Sequence, residues 1–168
     1  MLGDSRCHGF YRFFIFQSII VLLALNTPYW VQPRGWVDKV ASVLLILSVL
    51  HGYAGYRLLC TTGHPTAANR RDTDLLFENT TVLVDIGIFR WIRHPMYGAL
   101  LYLAIGTYLK GLTNPAPLRL VATTAALVAT LAFVHLAARA EERECRERFG
   151  RAYARYCATT RRFIPFVW

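Results

Sequence analysis

Four long apolar segments constrain this chain more than any other feature. A bilayer core about 30 Å thick takes about 20 residues of helix, and lipid leaves no backbone N–H or C=O unpaired, so such segments read as membrane helices. They run from about Phe10 to Leu25, from about Val40 to Leu59, from Pro95 to about Leu109 and from about Leu118 to Leu136. At 168 residues, 55% of them hydrophobic, and with a mean hydropathy of +0.32, the chain is too apolar for a soluble domain of this size. The expected fold is all-α: a polytopic membrane bundle of about four transmembrane helices plus a C-terminal cytoplasmic helix. It forms one integral membrane domain, with a two-helix hairpin in 1–60 and a motif-bearing region in 75–168.

The connections agree with that reading. Asn26, Pro28, Pro33 and Gly35 are turn formers between the first two spans, and Tyr29, Trp30 and Trp36 suit the headgroup level. Gly111, Asn114, Pro115 and Pro117 make a short turn that sets the last two spans antiparallel. No small-x-small cleavage site closes the first apolar stretch, so it reads as a retained span and not a signal peptide.

Lys and Arg then set the orientation. Arg6 and Arg12, five arginines between Arg57 and Arg93, and eight between Arg139 and Arg162 fall on one side, fifteen in all; only Arg34, Lys39, Lys110 and Arg119 fall on the other. By the positive-inside rule, both termini and the central loop are cytoplasmic and the chain sits in the inner, cytoplasmic membrane. For most of these arginines, topology and contact with anionic lipid suffice as an explanation. The net charge of +9 does not point to nucleic acid, because no continuous aromatic-basic face forms. The four cysteines lack any C-x-x-C pair and the five histidines any ligand pair at helical spacing, so no metal is expected. Ala137 to Cys157 is helical in character, with Glu142 and Arg146, Glu144 and Arg148, and Glu147 and Arg151 spaced i,i+4. Alone that is a solvated helix, interrupted at Gly150.

Chemistry concentrates where the third span begins, in the run Gly87 to Gly98. Pro95 fits the first helical position, His94 lies at the cap, and the free N–H groups there suit an anionic group. His94 and Tyr97 share a helical face. The alternative is an interfacial anchor, with Trp91 and Tyr97 in the headgroups and Arg93 snorkelling. Glu141 and Glu142 lie about one turn beyond the fourth span, and the hairpin of spans three and four carries them toward Arg93 and His94. A charge run on a solvated face is the plainer reading of that pair; convergence of the two clusters favours a site.

Arg93-His94-Pro95-Met96-Tyr97-Gly98, followed by two apolar helices, Glu141-Glu142, Phe149-Gly150, Tyr153, Tyr156 and Pro165, resembles the isoprenylcysteine carboxyl methyltransferase family and its phospholipid methyltransferase relatives. The resemblance spans about Leu75 to Pro165. It implies an integral membrane enzyme that binds S-adenosyl-L-methionine at the cytoplasmic helix ends, under a C-terminal helix. Residue by residue, it implies that His94, Pro95, Tyr97 and Gly98 contact the cofactor and that Glu141 or Glu142 holds its ribose or amino group. It further implies that Arg93 faces the substrate and that Tyr153, Tyr156 and Arg162 close the pocket. Arg93 and Glu142 are then the candidate catalytic residues, Arg93 orienting a carboxylate acceptor and Glu142 taking the proton of an amine. The acceptor is expected to be lipidic or a small thioether or thiol, with its chain left in the bilayer. The sequence is shorter than the eukaryotic prenylcysteine enzymes, with fewer spans before the motif. The ending from Tyr156 to Pro165 also resembles the tail of NADPH-dependent membrane sterol reductases, which are much longer. Outside enzymes, a membrane scaffold is the competing class. A transporter is disfavoured because ionisable residues cluster at one face and not at mid-depth.

Overall fold

The computed structural model describes residues 7–31, 35–66, 75–112 and 116–164. Arg6, Pro33, Arg34, Arg70, Arg71, Asn114, Pro115 and Pro165, named above, lie outside the described residues. Within them the fold is an all-α bundle: α1 (Cys7–Asn26), α2 (Gly35–Thr62), α3 (Pro95–Gly111) and α4 (Pro117–Thr159), with short 3₁₀ turns at Thr27–Tyr29, Leu76–Glu78 and Gly87–Arg90. α1, α2 and α4 are long and apolar enough to cross a membrane. The 17 residues of α3 span about 26 Å, short of a full hydrocarbon core, so the third expected span is the short one.

α3 lies at the centre: α2 packs along it, α1 packs along α4, and both α1 and α4 touch it. On α1 the buried residues Tyr11, Ile15, Ile19 and Leu22 recur every three to four positions and form one stripe, while Phe13, Phe16 and Ile20 face outward. Lipid tails provide no hydrophobic drive between helices, so close approach through small residues decides the contacts. A side chain at Gly106 would stand 3.1 Å from the Ala41 carbonyl oxygen, and one at Gly55 would stand 3.0 Å from Met96. Polar locks add register: the Ser18 and Thr130 hydroxyls meet at 2.8 Å, and Lys110 Nζ donates to Asp38 Oδ1 at 2.6 Å. The end of α3 and the start of α4 are tied by Arg119, which donates to the Gly111 carbonyl and to Asn26 Oδ1 and lies 4.1 Å over the Tyr29 ring.

α4 joins the expected fourth span to the helical stretch read after it. From Pro117 to Phe149 it runs unbroken for about 50 Å, so the apolar half to Leu136 continues directly into a charged arm. The arm bends at Gly150, whose φ of 52° and ψ of −123° only glycine adopts without strain. Nor is the arm simply solvated. Ala140, Glu142, Tyr153 and Tyr156 are buried, and Arg148 donates to the Thr80 carbonyl and to Asn79 Oδ1 instead of pairing only along its own helix.

Candidate functional site

Beyond α4 the chain turns back and pairs in parallel with the segment that leads into α3. Arg161 N–H donates to the Trp91 carbonyl, Arg93 N–H to the Arg161 carbonyl and His94 N–H to the Arg162 carbonyl. Phe163 is fully buried and its carbonyl would stand 3.1 Å from a Cβ at Gly98, so the glycine lets the returning chain lie against α3. This pairing is what brings 87–98, the α4 arm and 160–163 together.

At the junction sits Glu142, 2% exposed. Arg93 Nε donates to its Oε1 at 3.0 Å, and Arg162 grips both oxygens, Nε to Oε1 at 3.0 Å and Nη2 to Oε2 at 2.9 Å. Burial alone would raise the carboxyl's pKa, but His94, Arg162 and Arg93 outweigh it and hold Glu142 well below the usual carboxylate range. Arg93 also donates through Nη1 to the Thr160 carbonyl at 2.6 Å, which leaves Nη2 without a hydrogen bond among the described residues.

His94 is buried between the two glutamates. Its Nδ1 is 3.6 Å from Glu141 Oε1 and its Nε2 is 3.5 Å from Glu142 Oε1. Both distances are long for hydrogen bonds, and Nε2 makes none. Burial opposes the imidazolium, yet the two carboxylates prevail and raise the histidine's pKa. The Tyr97 ring lies 5.7 Å from that of His94 and is 8% exposed. Tyr97 and Arg93 therefore point inward, against the interfacial-anchor reading; Trp91, about half exposed, retains it.

A hollow of about 360 Å³ opens beside these groups, and a smaller one of about 90 Å³ shares part of its wall. Arg12, Glu78, Arg93, His94 and Glu141 wall both. The larger chamber runs between α1, α2 and α3 along apolar residues such as Ile15, Phe16, Met96 and Leu100; Pro95 and Tyr97 also line it. The smaller lies under the arm, lined by Tyr153 and Tyr156, with the Tyr156 hydroxyl donating to the Phe89 carbonyl at 2.7 Å. The volume falls in the range of small-molecule sites.

The two glutamates thus part company: Glu141 faces the hollow, whereas Glu142 lines a separate cleft with Arg162. Gly98 is buried against Phe163 and lines neither chamber. Two residues absent from the expected set enter the site. Arg12, one turn into α1, pairs with Glu78 and interacts with Tyr97. Burial and the charge of Glu141 push the Glu78 carboxyl up to about 7, against the pull of Arg12. A guanidinium inside an otherwise apolar helix was the available signal for Arg12; Glu78, a lone acid in a loop, offered none.

A family profile described as "Protein of unknown function (DUF1295)" matches residues 2–160. The chain belongs to the DUF1295 family. The match covers all four helices and stops short of Arg161, Arg162 and Phe163. Among curated proteins no match is found.

Proposed function

We propose that this DUF1295 protein is a membrane-embedded methyltransferase that uses S-adenosyl-L-methionine and acts on a lipidic or thioether carboxylate at the cytoplasmic face. The observation that carries the reading is the hollow in which Arg93 and His94 meet Glu141, from segments almost fifty residues apart, beside an apolar chamber between membrane helices. The resemblance of 93–98 and of the glutamate pair to the isoprenylcysteine and phospholipid methyltransferases supports it, and the arginine asymmetry supports the sidedness.

The residues suit the cofactor. A cationic sulfonium and amino group call for carboxylates beside them, and Glu141 and Glu78 both border the hollow. His94 borders the hollow beside Glu141, and its imidazole, held charged by the two glutamates, helps set the field there. Tyr97, Tyr153 and Tyr156 would enclose the cofactor's adenosine end and exclude water. When bound, S-adenosyl-L-methionine supplies a methyl group on a good leaving atom, so the protein has chiefly to align and dehydrate.

Arg93 is suited to orientation. Glu142 and the Thr160 carbonyl fix its guanidinium, and Nη2 remains to hold an acceptor carboxylate without quenching it. Glu142 is a poor proton acceptor because three cationic neighbours stabilise its ionised form. The geometry gives it the role of holding Arg93 in place.

An amine acceptor, as in phospholipid N-methylation, is the second reading, and Glu78 favours it. A carboxyl near 7 that borders both chambers is matched to taking a proton at neutral pH. Methylation of a small thiol would use the same acceptor. Mass spectrometry of membranes containing the protein, incubated with isotopically labelled methyl donor, separates these outcomes. A labelled ester supports the first reading and a labelled amine or thioether the second. No labelled product, together with no binding of S-adenosylhomocysteine, rejects the enzyme in favour of a scaffold.

A further inference from the structure

Opposite the hollow, on the outer side of Glu142, a second cleft of about 240 Å³ is lined by His135, Arg139, Arg143, Arg146, Arg162 and Glu142 itself. Its walls are nearly all polar. Arg139, Arg143 and Arg146 are exposed and recur at three- and four-residue spacing along α4, and Arg162 is brought to them by the returning chain. Four guanidiniums thus face one carboxylate, and that carboxylate is already balanced from the other side by Arg93 at 3.0 Å. Arg162 and Arg146 approach Glu142 Oε2 at 2.9 and 3.8 Å from the cleft side. Among the residues that line it, the cleft gathers four guanidiniums against one carboxylate.

Its depth is informative. His135 lies in the last turn of the apolar half of α4, and Arg139, Arg143 and Arg146 follow within three turns, at the level where hydrocarbon gives way to headgroups. Forked guanidiniums converging at that height match a phosphate held by two or more bidentate contacts. We propose that this cleft binds the phosphate headgroup of an anionic membrane phospholipid, at a site separate from the methyl-transfer hollow. The inference stands whether or not the hollow methylates anything.

Native mass spectrometry of the full-length protein, released from micelles doped with equal phosphatidylglycerol and phosphatidylcholine, reads the lipid retained. The wild type is expected to keep phosphatidylglycerol in preference. Each juxtamembrane arginine favours anionic lipid by roughly fivefold, so the double variant Arg139→Gln/Arg143→Gln should lower the preference by about tenfold or more. Raising the ionic strength should weaken the preference of the unaltered protein as well, a test that requires no variant to fold. Equal retention of the two lipids, a preference untouched by salt, or one unchanged in a folded double variant would each overturn the proposal. Thermal stabilisation by inorganic phosphate equal to that by phosphatidylglycerol would assign the cleft to a free anion and also overturn it.

Discussion

Glu141 and Glu142 are chemically identical neighbours, and their surroundings give them opposite duties. Glu142, almost wholly buried, keeps Arg93 and Arg162 paired; removing its charge strands buried guanidiniums. Glu142→Gln should therefore cost about 3–5 kcal/mol of stability, measured by denaturant unfolding in micelles. The pH dependence has a definite sign. The folded carboxyl titrates below its ordinary 4.5, so its stabilisation is complete above that pH and fades as the pH falls further, an acid sensitivity that Glu142→Gln should lack. Glu141 is about one-third exposed, and Glu141→Gln should change stability by no more than about 1 kcal/mol while weakening S-adenosylhomocysteine binding. Arg93→Lys, which loses the fork, should lower turnover far more than cofactor affinity; unchanged turnover would remove Arg93 from the reaction. If the acceptor is an amine, Glu78 must be ionised to take its proton. The rate should then rise with pH through about 7, and Glu78→Gln should abolish that rise in a pH-rate profile.

Among the elements, the bent arm of α4 decides whether a roof exists. Gly150 turns the helix so that Tyr153 and Tyr156 come over the small chamber, and the chain then returns through Thr160 to Phe163 beside Gly98. A Cβ at 150 meets nothing within 4 Å, so Gly150→Ala costs backbone strain alone, about 1–3 kcal/mol. Hydrogen exchange should rise across 151–164 in that variant while α1 and α2 keep their protection. The apolar spans and the proline start of α3 were legible because apolar length and Pro95 act locally. The helical run on from Ala137 and its interruption at Gly150 were legible as well; the burial of Glu142, Tyr153 and Tyr156 along it was not, since it depends on tertiary packing. The parallel pairing of Ile92 with Arg161 joins residues nearly seventy apart and carries no local pattern.

For the molecule as a whole, charge placed the site on one face and the bundle gave it depth. Convergence of 93–98 with the glutamate pair could be read in the sequence because the hairpin of α3 and α4 fixes which ends meet. The contribution of α1 through Arg12, and of the 75–80 loop through Glu78, depended on tertiary packing and could not be. The short, central α3 leaves a chamber between α1, α2 and α3 with Glu141 of α4 at its polar end, an arrangement suited to joining a bilayer-held acceptor to a water-borne donor. Calorimetric titration of the purified full-length protein with S-adenosylhomocysteine tests this account most directly. Saturable heat is predicted for the wild type, strongly reduced by His94→Ala and by Glu141→Gln in variants that remain folded. No heat and no thermal stabilisation of the intact protein, or undiminished binding in both variants, would contradict it.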